Sequence, residues 1–459
     1  METPETRLHL VAVADLAPGT APALHPVDRD GLDGLLDSLS PAAGPLTFRT
    51  FKDFRPERLA QALPAAAGLL RLRAKALELA AGQGTLDGLR DLLRATPDLA
   101  RALDDALARP AAPAPRPAPA GGIFDLVDVE GAAPSTGLDA LIGELLDSGS
   151  SVPPAALRTF AGKVEEALGG TLRAALRDPK LRELEAAWRG LRWLVRSVDF
   201  RAGCRMHVLP CGKADRAKAI RDVLLPFAAD LRAEGSIPLF VFDAELDEEV
   251  VGVPAVAGWS GAAAPRGVAP AANRFQLRPA YGKDGDRVKD FAFEEAGEPL
   301  FGRASWIVGA LAANAFARTG WAANFTGPSA AEGLEPVVAL EKELKEPEAR
   351  ALGDAGAIAL VRGTAPFAAT GASLRTSLYG AQVGVYIERI VGHLDPGADP
   401  AAVAKTLAAG VELLGYPALS VSARPADDGR PAVSMTVKPA AAAPRGMPEL
   451  EVEVPVPRF

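Results

Sequence analysis

Apolar positions recur along this chain at two periods, and the switches between them mark its elements. Residues 8–16, rich in Leu and Val, predict a strand. Asp28 or Asp30 can cap a helix whose apolar face is Leu32, Leu35, Leu36 and Leu39. Residues 46–51 read as a second strand, with Leu46, Phe48 and Thr50 on one face. Pro56 suits the first position of a long helix carrying Leu59, Leu63, Leu69, Leu70 and Leu77. Pro64 should kink or split that helix, because it lacks an N–H and crowds the preceding turn. A last helical stretch covers 97–107.

A break follows. Residues 109–122 read RPAAPAPRPAPAGG, a Pro/Ala alternation that cannot hold a helix and has little to bury. It predicts an extended spacer of roughly 40 Å. Beyond it, residues 137–147 form a short amphipathic segment with Leu138, Leu141, Ile142, Leu145 and Leu146. Asp178-Pro179 then opens a helix with the stripe Leu181, Leu184, Trp188, Leu191 and Val195. Glu185 and Arg189 are read as an i,i+4 pair on its wet face. Strand 206–209, helix 213–233 and strand 237–242 give a βαβ-like order. Residues 262–272, rich in Ala, Pro and Gly, are expected to be an exposed loop. Helices are expected over 305–318, 374–393 and 401–414. Strands 419–423 and 433–438 flank the turn signal Asp427-Asp428-Gly429-Arg430. Residues 449–456 alternate strictly, with Leu450, Val452, Val454 and Val456 on one side and Glu451 and Glu453 on the other. The class is α/β (α+β).

Composition narrows the functions. The 459 residues are 48% hydrophobic and 24% charged, with a net charge of −8. That is a globular balance, and it argues against gripping nucleic acid, which runs on clustered Lys and Arg. No apolar run approaches the ~20 residues that cross a bilayer. The acids Glu2 and Glu5 stand where a signal peptide would carry bases. With only two cysteines, a reducing, cytosolic setting is expected.

Chemistry is sparse. The histidines His9, His25, His207 and His393 show no metal-ligand spacing, and Cys204 and Cys211 lack a second pair, so buried free thiols are expected. Gly258-Trp259-Ser260-Gly261 lacks the final glycine of a nucleophile elbow. Gly212-Lys213 and Gly282-Lys283 are not followed by Ser or Thr, so neither is a P-loop. The acids at Asp247-Glu248-Glu249 and Glu294-Glu295 are expected on a solvated surface. No catalytic, cofactor or metal site is assembled, and the chain is read as a non-enzyme.

Two sets of phrases carry a resemblance. In residues 8–107, Phe48, Phe51, Asp53, Phe54, Pro56 and Glu57 precede a Leu-rich helix in a way that resembles the small sheath protein of bacterial type VI secretion (TssB, or VipA). Further on, Leu184-Glu185-Ala186-Ala187-Trp188-Arg189-Gly190-Leu191 resembles the most distinctive helix of the large sheath protein (TssC, or VipB). So do Pro279-Ala280-Tyr281-Gly282, Phe291-Ala292-Phe293-Glu294-Glu295, and the run from Trp306 to Gly320-Trp321. The chain therefore looks like a TssB–TssC fusion: a small sheath domain at 1–108, a linker at 109–136 and a large sheath domain at 137–459.

The resemblance implies a bacterial, cytoplasmic protomer of a contractile sheath, with the small unit packed on the large one. Its partners would be itself or other sheath subunits, an inner tube of the Hcp type, baseplate components and a ClpV-type AAA+ ATPase. The ATPase would take the segment with Leu138, Leu141, Ile142 and Leu145. The terminal strand with Leu450, Val452, Val454 and Val456 would either be exchanged between protomers or pair within its own chain. Only six residues precede the first strand, which span about 20 Å at most and leave little arm to donate. The alternative is a sheath paralogue that does not polymerise and acts as a cap, baseplate piece or adaptor.

Overall fold

The computed structural model describes residues 6–94, 153–243 and, with short breaks, 266–455. The first stretch holds β1 (Arg7–Ala14), β2 (His25–Pro26), α1 (Leu32–Leu39), β3 (Ala42–Ala43), β4 (Leu46–Thr47), α2 (Pro56–Ala62), α3 (Pro64–Ala80) and α4 (Leu86–Arg94). The second holds α5 (Pro154–Arg177), α6 (Pro179–Ser197), β5 (Cys204–Pro210), α7 (Arg216–Ala219), a π turn at Ile220–Leu224, α8 (Leu225–Ala233) and β6 (Ser236–Phe242). The third holds β7 (Arg266–Val268), β8 (Arg274–Arg278), β9 (Leu300–Arg303), α9 (Ser305–Thr319) and α10 (Glu346–Asp354). It ends with β10 (Leu360–Val361), β11 (Ala368–Ala369), α11 (Ala372–Val391), α12 (Pro400–Leu413), β12 (Ala418–Pro425), β13 (Pro431–Val437) and β14 (Leu450–Pro455). The mixture of helices with mixed sheets is the α/β class expected.

The chain divides into two compact units. One comprises residues up to Leu35, Ala186–Leu277 and Phe301 onward, and the other Leu36–Glu185 with Arg278–Leu300. Each draws on residues from both sides of the Pro/Ala-rich segment, which itself lies outside the described residues.

The first unit is built on a five-stranded sheet in the order β2-β5-β1-β6-β7. β1 runs parallel to both neighbours, pairing Leu8 with Cys204 through Ala14 with Pro210 on one side, and Arg7 with Ser236 through Val13 with Phe242 on the other. Every residue of β1 after Arg7 is buried, as is the whole of β6. Continuous burial is what a parallel strand covered on both faces requires, and it explains the unbroken apolar run. The expected loop at 262–272 contains β7, parallel to β6, so part of it joins the sheet. The Ala/Gly/Pro content hid a strand too short to show a period.

Helix α9 lies against the sheet at Gly309, where a Cβ would sit 2.8 Å from Val241 Cγ2. It ends at Gly320, whose φ of 72° is the left-handed cap that returns its N–H to Phe316 O at 2.8 Å. The indole of Trp188 donates to Leu16 O at 2.9 Å just past β1. In the same unit, α12 packs beside the antiparallel sheet β12-β13-β14, the hairpin and terminal strand that the sequence predicted.

In the second unit α3 lies along α5. Pro64 splits the expected long helix as anticipated: Leu63, extended at ψ 121°, ends α2 and begins α3. The expected strand over 46–51 stops at Thr47. Asp53 Oδ2 accepts from Arg49 N at 2.8 Å and Thr50 N at 2.7 Å, which turns the chain into a 3-10 helix over Phe51–Phe54. Phe48 and Phe54 then stack at 4.3 Å in the core. Asp178 caps α6 as predicted, accepting from Lys180 N at 2.9 Å and Leu181 N at 3.2 Å.

Candidate functional site

The described residues contain a buried ionic cluster, at Arg278 in the second unit. Arg278 Nε donates to Glu185 Oε1 at 2.8 Å and Nη2 to Glu185 Oε2 at 3.1 Å, a two-pronged pair. Nη1 donates to Glu295 Oε2 at 2.7 Å and to Pro279 O at 3.1 Å, and Nη2 reaches Glu295 Oε1 at 3.2 Å. The guanidinium's five N–H groups thus have five acceptor contacts. Its face lies 4.2 Å from the Tyr281 ring centroid, and Tyr281 N donates to Glu295 Oε2 at 2.9 Å. Arg182 Nη1 stands 3.8 Å from Glu295 Oε1 and offsets the second carboxylate. Burial alone would lower the Arg278 pKa, but the Glu185 and Glu295 carboxylates hold it above the ordinary value.

This overturns two expectations. Glu185 is not on the wet face of α6: it is 1% exposed. Glu295 is not on a solvated acidic surface: it is 2% exposed. Both are buried because one arginine supplies the charge and donors that burial demands. The cluster joins three separate phrases of the sequence, one on α6 and two in 278–300. The latter segment is strapped further by Glu165, which accepts from Ala292 N at 2.6 Å, and by Glu57, which accepts from Lys289 N at 3.2 Å. Arg182 donates to Pro299 O at 3.2 Å.

The residues predicted for partner contacts fall differently. Leu138, Leu141, Ile142 and Leu145 lie outside the described residues. In the first unit, β14 pairs antiparallel with β13 of its own chain, setting Leu450 opposite Val437, Val452 opposite Met435 and Val454 opposite Val433. Val433, Met435 and Val437 are buried, while Leu450 and Val452 are half-buried and Glu451 is exposed. Val456 lies outside the described residues. β14 ends the order β12-β13-β14, so exchange would use its outer edge or replace the pairing with β13.

The remaining candidates are structural. Cys204 and Cys211 are buried free thiols, pushed up by burial to about 12 and about 11. His393 Nδ1 lies 2.7 Å from Arg389 O at the end of α11. Ser260 and the acids 247–249 lie outside the described residues. No helix among the described residues is long and apolar enough to cross a membrane.

One family model aligns with this framework. The model of VipB (EvpB/VC_A0108, tail sheath N-terminal domain) matches residues 159–226. That stretch resembles a sheath protein. It takes in most of α5, all of α6, β5 and the helical turns leading into α8, and so includes Glu185, Trp188 and His207. The match likens this stretch, and not the whole chain, to the large sheath protein. No curated protein matches the chain.

Proposed function

We propose that this protein is a structural, non-enzymatic subunit of a bacterial type VI secretion sheath, a single chain that combines counterparts of the small and large sheath proteins. The observation that carries the reading is the VipB match on residues 159–226. The fusion is supported by how the strands interleave. β1 precedes the Pro/Ala segment, yet it fills the place between β5 and β6, which follow it. Likewise α3 precedes the segment and lies along α5, which follows it. Two polypeptides related in this way would be obligate partners, and joining them makes the pairing intramolecular and fixes it at one to one.

In this reading the chain works in the cytoplasm, by contact with other sheath subunits around an inner tube of the Hcp type, and meets baseplate components. Leu138, Leu141, Ile142 and Leu145 would be the apolar anchors offered to a ClpV-type ATPase. Leu450, Val452, Val454 and Val456 would belong to a terminal strand shared between protomers. The test is co-sedimentation from native cells. The protein is expected in the high-speed pellet together with other sheath subunits. Finding it only in the supernatant, as a single small species, would overturn the reading.

A further inference from the structure

β1 is held in its sheet by a side-chain contact as well as by its two ladders. His9 of β1 and His207 of β5 meet with Nε2 and Nδ1 2.7 Å apart, their rings stacked at 4.8 Å between centroids. Phe227 of α8 closes over both, at 5.6 Å from His9 and 4.9 Å from His207. His9 is 6% exposed. Around the pair, β5 brings Arg205 in register with His9, β6 brings Pro238, and β2 brings Pro26 in register with His207. The charges that act on His9 are those of His207 and Arg205, and both oppose a proton.

Two imidazoles can share this contact only while one facing nitrogen donates and the other accepts. A first proton leaves a cation on a pair of which His9 is buried and His207 half-buried, beside Arg205. A second sets two N–H groups head on. We propose that the His9–His207 pair is an acid-operated clasp, whose protonation releases the N-terminal strand β1 from between β5 and β6. β1 bonds to both neighbours, so its departure would leave β5 and β6 without a shared partner and open the sheet at its centre. The clasp is a property of this sheet and stands apart from the sheath reading.

The titration agrees in sign. Burial first, then His207 and Arg205, hold His9 down at about 3, and burial lowers His207 as well. The folded value lies below the unfolded one. The stabilisation is therefore complete above the ordinary imidazole value of about 6.5 and is lost as pH falls from there toward about 3.

Hydrogen exchange on the full chain at pH 7.5 and pH 5.0, corrected for intrinsic rates, tests this. In the opened strand one ordinary imidazole favours opening by about 30-fold at pH 5.0. Protection of residues 7–14 is expected to fall by at least that factor in the wild type while α3 and α5 hold theirs. The double variant His9→Gln, His207→Gln should lose that pH dependence. An equal fall in both proteins, or none in the wild type, would overturn the proposal. Should the variant not fold, NMR titration of the wild-type imidazoles decides. Neither ring should take up a proton near 6.5 while residues 7–14 stay protected, and a ring that does so refutes the clasp.

Discussion

Replacing Arg278 with Met removes the two-pronged partner of Glu185 and most of the bonding of Glu295 at one stroke. Five hydrogen bonds disappear, and the two carboxylates, on residues 1% and 2% exposed, stay where they were. Arg182, at 3.8 Å from Glu295, still balances one of them. Glu185 stays buried and loses both prongs of its guanidinium contact. Breaking a buried pair from one side costs about 3–5 kcal/mol, against a total stability of about 5–15 kcal/mol for a typical domain. Urea unfolding at pH 7.5, followed by circular dichroism, should show that loss. The deficit should shrink as pH falls to 4.5, because protonation relieves the stranded charge. Adding Glu185→Leu and Glu295→Leu should recover part of it, since the stranded carboxylates are gone while Tyr281 N gives up its acceptor. A single-variant cost under about 1 kcal/mol, or a deficit that ignores pH, would refute the claim that Arg278 neutralises these carboxylates.

Other outcomes follow from the same geometry. Gly190→Ala drives a methyl group into the buried Trp306 indole and should cost about 1–3 kcal/mol, read as a fall in melting temperature together with a change in tryptophan emission. Asp178→Ala removes the cap on α6 and should cost about 1 kcal/mol, with Asn at the same position restoring most of it. A protease site inserted in the Pro/Ala segment at 109–136 should give, after cleavage, two fragments that co-elute in size exclusion and part only in denaturant; fragments that separate under native conditions would contradict the interleaving of β1 with β5 and β6.

Local pattern carried the elements well and their partners poorly. The stripe from Leu181 to Val195, the split at Pro64 and the βαβ order through 206–242 follow from periodicity and proline chemistry acting over a few residues. That β1 lies between β5 and β6 does not, because the pairing spans about two hundred residues and nothing in an apolar run names its neighbour. Glu185 is the instructive miss. It stands four residues after Leu181 and three before Trp188, on the buried stripe itself, and that position already called for a buried cation. Pairing it with Arg189 by spacing alone overlooked where the stripe points. Glu295 offered no such signal, since its segment has no regular period. The His9–His207 contact was likewise hidden, because the absence of close histidine spacing says nothing about neighbours on adjacent strands.

The central claim is that this chain acts by assembling with copies or close relatives of itself. Negative-stain electron microscopy of the purified, concentrated protein tests it most directly. The account predicts helical filaments or stacked rings, lost when residues 449–459 are deleted if the terminal strand is shared. A uniform field of single particles that stays monodisperse at high concentration, and in the presence of other sheath subunits, would contradict it.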